Sequence, residues 1–184
     1  MANETRIVTG KVRLSYANIW KPRQNDNGGD PKYSVSILIP KSDTETLAKI
    51  NRAIDAAIQK GADKFGGKIP KRSMLKTPLR DGDEERDDPV YAGCMFLNAS
   101  SKDQPKIVDR KVQPILDQEE VYSGCYARVS INFFAYNTSG NRGIGAGLGN
   151  IQKLADGEHL SGGFVAPESE FEELDDDFVP DAAW

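Results

Sequence analysis

The sequence predicts a mainly β protein: a small antiparallel barrel of five strands, with one main α-helix after the second strand and a long inserted loop. Three observations predict it. Apolar and polar residues alternate with a period of two in several separate segments, only one stretch repeats its apolar residues at helical spacing, and strands and helices do not alternate along the 184 residues. A chain of this length holds one domain of ordinary size and a tail. The expected division is a barrel over residues 1–160 and an acidic, largely disordered tail over 161–184.

The first strand covers residues 7–16. Val8, Val12, Leu14 and Tyr16 share one face around Gly10, and Thr9, Lys11, Arg13 and Ser15 share the other, which makes the outer face basic. Residues 18–33 read as a loop rich in Asn, Gly, Asp and Pro, in which Trp20 stands between Ile19 and Lys21 and Arg23 follows. Tyr33, Val35, Ile37 and Ile39 alternate along the second strand, which Pro40 stops. Ser42 or Asp43 caps the helix, Glu45 sits in its first turn, and Leu47, Ile50, Ile54 and Ile58 recur at helical spacing, giving a helix over residues 44–60.

Residues 61–89 form a long polar excursion, with a basic run of Lys64, Lys68, Lys71, Arg72 and Lys76 and then the acidic turn DGDEERDDP. Loops of this length are commonly functional. Strands resume over residues 90–99 and, briefly, 106–108. The longest strand covers 123–137. Cys125, Ala127, Val129, Ile131, Phe133 and Ala135 make one continuous apolar face. After a hairpin at NTSGNRG, the last strand places Gly143, Gly145, Gly147 and Gly149 on one face, where another backbone can approach or the strand can bend at a barrel corner. The GxGxGxG spacing is not a dinucleotide fingerprint, because it follows a hairpin and no βαβ unit surrounds it. These elements fit the OB-fold, a five-stranded barrel that binds single strands across one face and its loops, with a Greek-key sandwich as the rival.

The second face of the longest strand carries Tyr126, Arg128, Ser130, Asn132, Phe134 and Tyr136: three aromatics, an arginine and no acid. Rings stack on unpaired bases and arginine both neutralises phosphate and stacks, so the mixture suits single-stranded nucleic acid. The same rings would equally serve as a second small core beneath the helix or a loop. Charge distribution points the same way as the first reading. The net charge of -4 comes from 24 bases and 28 acids, and eight of those acids, with no base, lie in residues 165–184. The remainder holds 24 bases against 20 acids. A basic body suits an anionic partner, and an acidic tail suits a protein partner or the body itself.

Catalytic parts are missing from the sequence. The single His159 lies in a glycine-flanked stretch near the tail, no Walker pattern occurs, and the acids at Asp81, Asp83, Glu84 and Glu85 read as a solvated loop. Cys94 and Cys125 read as reduced core residues, so neither a disulfide scaffold nor a metal site is expected, and no cofactor. No stretch has the length of a membrane span and the first residues lack a signal-peptide pattern, so the chain reads as cytoplasmic and makes no membrane contact.

Three segments, PLRDGDEERDDPVYAG, DRKVQPILDQEEVYSGCYARVSINFFAYN and GIGAGLGNIQKLADGE, together resemble a family of phage-encoded single-stranded DNA-binding proteins, long grouped as a domain of unknown function. The likeness covers roughly residues 5–160. It implies an OB-fold core that coats single-stranded DNA during replication or recombination without reading sequence. Phosphates would meet Lys11, Arg13, Lys21, Arg23, Lys32, Lys71, Arg72 and Arg128, and bases would stack on Trp20, Tyr126, Phe134 and Tyr136. The tail is similar to the acidic tips of bacterial and phage single-strand binders, which implies competition with DNA and recruitment of replication or recombination proteins. Asp175, Asp176 and Asp177 would supply charge, and Phe178 or Trp184 the aromatic anchor. Self-association on DNA, an RNA-binding barrel and a virion assembly protein stay open as alternatives.

Overall fold

The computed structural model describes residues 4–24 and 29–160. Its strands are β1 (Arg6–Val8), β2 (Val12–Arg23), β3 (Lys32–Pro40), β4 (Arg80–Asp81), β5 (Cys94–Ser101), β6 (Ile107–Val108), β7 (Tyr126–Thr138) and β8 (Asn141–Ala155). The helices with α geometry are α1 (Thr44–Lys60) and the single turn α2 (Gly82–Glu85). Five strands are long, and they pair in the order β7-β2-β3-β5-β8, with β8 returning to β7 to close the ring. All these pairings are antiparallel except β5 with β8. This is the OB-type barrel expected from the sequence; three two- or three-residue strands attach to it.

Burial follows the alternation. Ala127, Val129, Ile131 and Phe133 of β7 point inward against Val12, Leu14, Val35, Ile37, Leu97 and Ile151, all at most 1% exposed. The helix α1 packs Ile50, Ala53, Ile54, Ala57 and Ile58 onto the same core. Asp43 caps it by accepting from the Thr46 amide (3.2 Å), and Gly61 ends it. At the β7–β8 hairpin Ser139 and Gly140 both take positive φ, the geometry of a two-residue turn matched to strand twist.

Three sequence expectations change. The single strand over residues 7–16 breaks at Thr9–Gly10–Lys11, where the Val129 amide donates to Thr9 Oγ1 (3.0 Å) and Thr9 is fully buried. Tyr16 then adopts φ +46°, and the register with β3 slips by one residue between Ser15 and Asn18. This bulge moves Tyr16 from the apolar face to the surface, where it is 59% exposed, while Val8 is 44% exposed and Ser15 is buried. The stretch from residue 18, expected to be loop, instead continues β2 as far as Arg23. The excursion over residues 61–89 also has structure. Phe65 and Leu75 enter the core, and residues 80–93 fold across the outer face of β3 and β5, where Leu38, Tyr91 and Phe96 make a second small core. Tyr91 Oη hydrogen-bonds the hydroxyls of Ser15 and Ser36, both at 3.2 Å.

Candidate nucleic-acid interface

The outer face of β2, β3 and β5 is left partly open beside that second core, and the openings carry rings and bases together. A cleft of about 350 Å³ lies among Lys11, Arg13, Leu38, Val90, Cys94 and Tyr126. A second, of about 360 Å³, lies among Tyr16, Asn18, Arg23, Arg86, Phe96 and Asn98. A third, of about 750 Å³, shares Tyr16, Asn18 and Arg23 with the second and reaches Ser123 and Leu160.

Arg86 organises the middle of this groove. Its guanidinium carbon lies 4.6 Å from the Tyr91 ring centroid, 5.5 Å from that of Tyr16 and 6.0 Å from that of Phe96, and it donates to Tyr16 Oη (3.2 Å). Cation and rings are thereby held in one patch. The acidic turn places it there. Asp81 caps α2 by accepting from the Asp83 amide, Lys41 Nζ bridges Asp81 (2.8 Å) and Asp83 (2.7 Å), and Asp83 also accepts from the Gly93 amide. The hydrogen bonds from Lys41 hold both carboxyls below their ordinary range, and those to Asp81 and Asp83 push the Lys41 ammonium above its own.

At the other end, Lys11 Nζ sits 4.7 Å from the Tyr126 centroid and the Arg13 guanidinium 5.5 Å from it. Arg13 also donates to the carbonyls of Gly124 (3.0 Å) and Glu158 (2.9 Å), so it fastens residues 156–160 along the groove edge. His159 stacks on Tyr122 at 3.9 Å, Tyr122 Oη donates to the Gly157 carbonyl, and the Leu160 amide donates to the Ser123 carbonyl (3.0 Å). The Cys94 thiol in this groove and the Cys125 thiol in the core are both pushed up by burial, which keeps them protonated. Among the described residues no group of three or more His, Cys, Asp or Glu is arranged to hold a metal, and no described helix is long and apolar enough to cross a membrane.

Of the residues singled out in the sequence, the groove gathers Lys11, Arg13, Arg23 and Tyr126. Lys21 and Lys32 are exposed where β2 ends and β3 begins, Lys32 paired with Arg23. The other residues lie apart. Trp20, expected on an open loop, packs against the core and its Nε1 donates to the Val121 carbonyl (2.9 Å). Arg72 is bound to α1 through Asp55 (2.8 Å) and Asn51 (2.6 Å), with exposed Lys71 beside it. Arg128 turns to a different opening with Arg6, Ser130 and Asn150, donating to the Thr9 carbonyl. Phe134 and Tyr136 lie further along β7, opposite Gly145 and Gly143. Asp175, Asp176, Asp177, Phe178 and Trp184 fall outside the described residues. Sequence reading missed Tyr16, Arg86, Phe96 and Asn98. Arg86 had a signal, as the lone base of DGDEERDDP; the others depend on the bulge and on the cover over β5.

A five-stranded barrel in this strand order, with rings and cations together on one outer face, is of the OB type. The chain belongs to the Enterobacter phage Enc34 ssDNA-binding protein family, whose model matches residues 5–179. It is 35% identical over 177 residues to protein p50 of Acyrthosiphon pisum secondary endosymbiont phage 1, covering 92% of this chain and 94% of that one. Its fold is similar to the single-stranded DNA-binding protein of bacteriophage Enc34 in complex with ssDNA, with TM-score 0.74, 27% identity, and 85% of this chain and 90% of that chain covered. The single-stranded DNA-binding protein gp2.5 of bacteriophage T7 shares the fold, with TM-score 0.61 at 16% identity, over 95% of this chain and 100% of that one.

Proposed function

We propose that this protein binds single-stranded DNA in the groove over β2, β3 and β5, without reading sequence, in the service of phage replication or recombination. The observation that carries the reading is the packing of Arg86 on the exposed ring of Tyr16, with Lys11 and Arg13 over Tyr126 at the other end. Rings of this kind accept any base, because every base has a π-face, and the Lys and Arg side chains neutralise phosphate. Arg23, Lys21 and Lys32 extend the cationic lining toward the β2–β3 connection. Family membership favours this reading over virion assembly.

The acidic segment that follows residue 160 is proposed to compete with DNA for the groove and, once displaced, to recruit replication or recombination proteins. Supporting this, Leu160 lines the same cleft as Tyr16, Asn18 and Arg23, so the segment starts where the DNA would lie. Its eight acids suit a cationic lining. The test is a salt series with labelled dT oligomers. Affinity should fall linearly on a log-log plot with a slope of roughly -0.7 per phosphate neutralised; a flat line rejects the groove reading. A parallel series with U oligomers separates DNA from RNA preference.

A further inference from the structure

The groove leaves Phe134 unused, although its seat is unusual. The ring is 46% exposed and lies against Gly145, where a Cβ would come within 2.6 Å of its Cζ; it also nears Gly147, where a Cβ would sit 3.8 Å from Cε1. One side of the ring therefore rests on bare backbone and the other faces solvent. Tyr136 lies beside it opposite Gly143, and Lys76 bridges to Gly143 from the far edge of β8. Neither β7 nor β8 contains an Asp or Glu.

Strand register connects this platform to the groove. Asn18 pairs with Ser34, Ser34 with Ser100, Ser100 with Gly147, Gly147 with Asn132, and Asn132 with Arg6. Residues paired across a sheet project from the same side. One row thus runs around the barrel from Asn18 in the groove to Arg6, through small uncharged polar side chains and a glycine. At about 4.8 Å per strand, Asn18 and Asn132 are separated by roughly 19 Å along the row, and Phe134 stands two residues further along β7.

We infer that the outer face of β7 and β8 is a second contact for the same DNA strand, which leaves the groove over Ser100 and Asn132 and stacks a base on Phe134. The inference rests on the groove reading and extends its path. Hydrogen-bonding side chains flanked by Arg6 and Lys76 suit a chain of phosphates and bases, whereas a protein-protein interface would place a larger apolar patch, depleted of charge, at its centre.

The test measures the full chain and its Phe134→Ala variant with labelled dT oligomers of about 5 nucleotides, near the lower end of OB-fold site sizes, and about 20, above the upper end. The short oligomer should bind both proteins within about 2-fold, and the long one should bind the variant about 5-fold or more weakly, the value of one stacked base. Phe134→Leu, which keeps an apolar group over Gly145, should lose the same, and Phe134→Tyr should restore binding. Equal losses at both lengths would put Phe134 in the groove and overturn the inference, as would no loss at either. So would a change in sedimentation without DNA and no length dependence, which would mark a contact between copies. If the unaltered protein binds neither length, the groove reading falls and this one with it.

Discussion

Arg86 is a single base in an acidic run, yet it touches three rings and so determines whether the groove presents a patch or scattered groups. Arg86→Ala should weaken dT binding and reduce the salt slope by roughly 0.7, since one phosphate partner is lost. Tyr16→Ala should cost about 5-fold or more with little change in slope, because a ring stacks without neutralising charge. Anisotropy titrations at several salt concentrations distinguish the two. Tyr16 also shows a limit of residue-scale reading: its φ of +46° reverses the face that the alternation assigns, and no neighbouring glycine in the sequence announces it. Trp20 shows another. A tryptophan among bases looks like a stacking residue, but an indole N–H needs a partner when partly buried, and the Val121 carbonyl provides one.

At the scale of elements, α1 was legible to its ends because cap, first-turn acid and apolar spacing all lie within the segment. The 80–93 cover was not, because its supports are distant in sequence: Lys41 holds Asp81 and Asp83, and Tyr91 reaches Ser15 and Ser36. This clamp predicts a pH response. Both carboxyls are held below the ordinary 3.8, so their contribution is present above that value and lost as pH falls through the lower folded-state value. The Lys41 ammonium is held above the ordinary 10.5, so its contribution is present below 10.5 and lost only in stronger alkali. Thermal unfolding followed against pH should show an acid-side decline that Lys41→Met reduces, with both proteins responding alike near neutrality. An identical acid limb in the two would refute the clamp.

For the whole molecule, the opposition of a basic barrel and an acidic end predicts how the parts interact. Removing residues 165–184 should tighten dT binding, most at low ionic strength where the Debye length is about 30 Å at 0.01 M, and the difference should shrink toward about 3 Å screening at 1 M. Equal affinity of full and shortened proteins at every salt concentration would reject competition and leave partner recruitment standing. The root of the acidic segment belongs to this scale too, since Arg13, Tyr122 and Ser123 fix residues 156–160 at the groove edge from three parts of the chain.

The sequence by itself determined what depends on local periodicity and composition: five long strands, one helix, an apolar lining for the barrel, and a separation of charge along the chain. It also placed rings and bases on strand surfaces. Only the tertiary structure decided which of them meet, because that depends on one bulged residue, on a corner at Gly10, and on a cover anchored by residues far away in sequence. The glycines of β8 illustrate the division. Their alternation was plain, but that they lie bare to seat the rings of Phe134 and Tyr136 follows from the pairing of two strands, a property of register that neither strand carries alone.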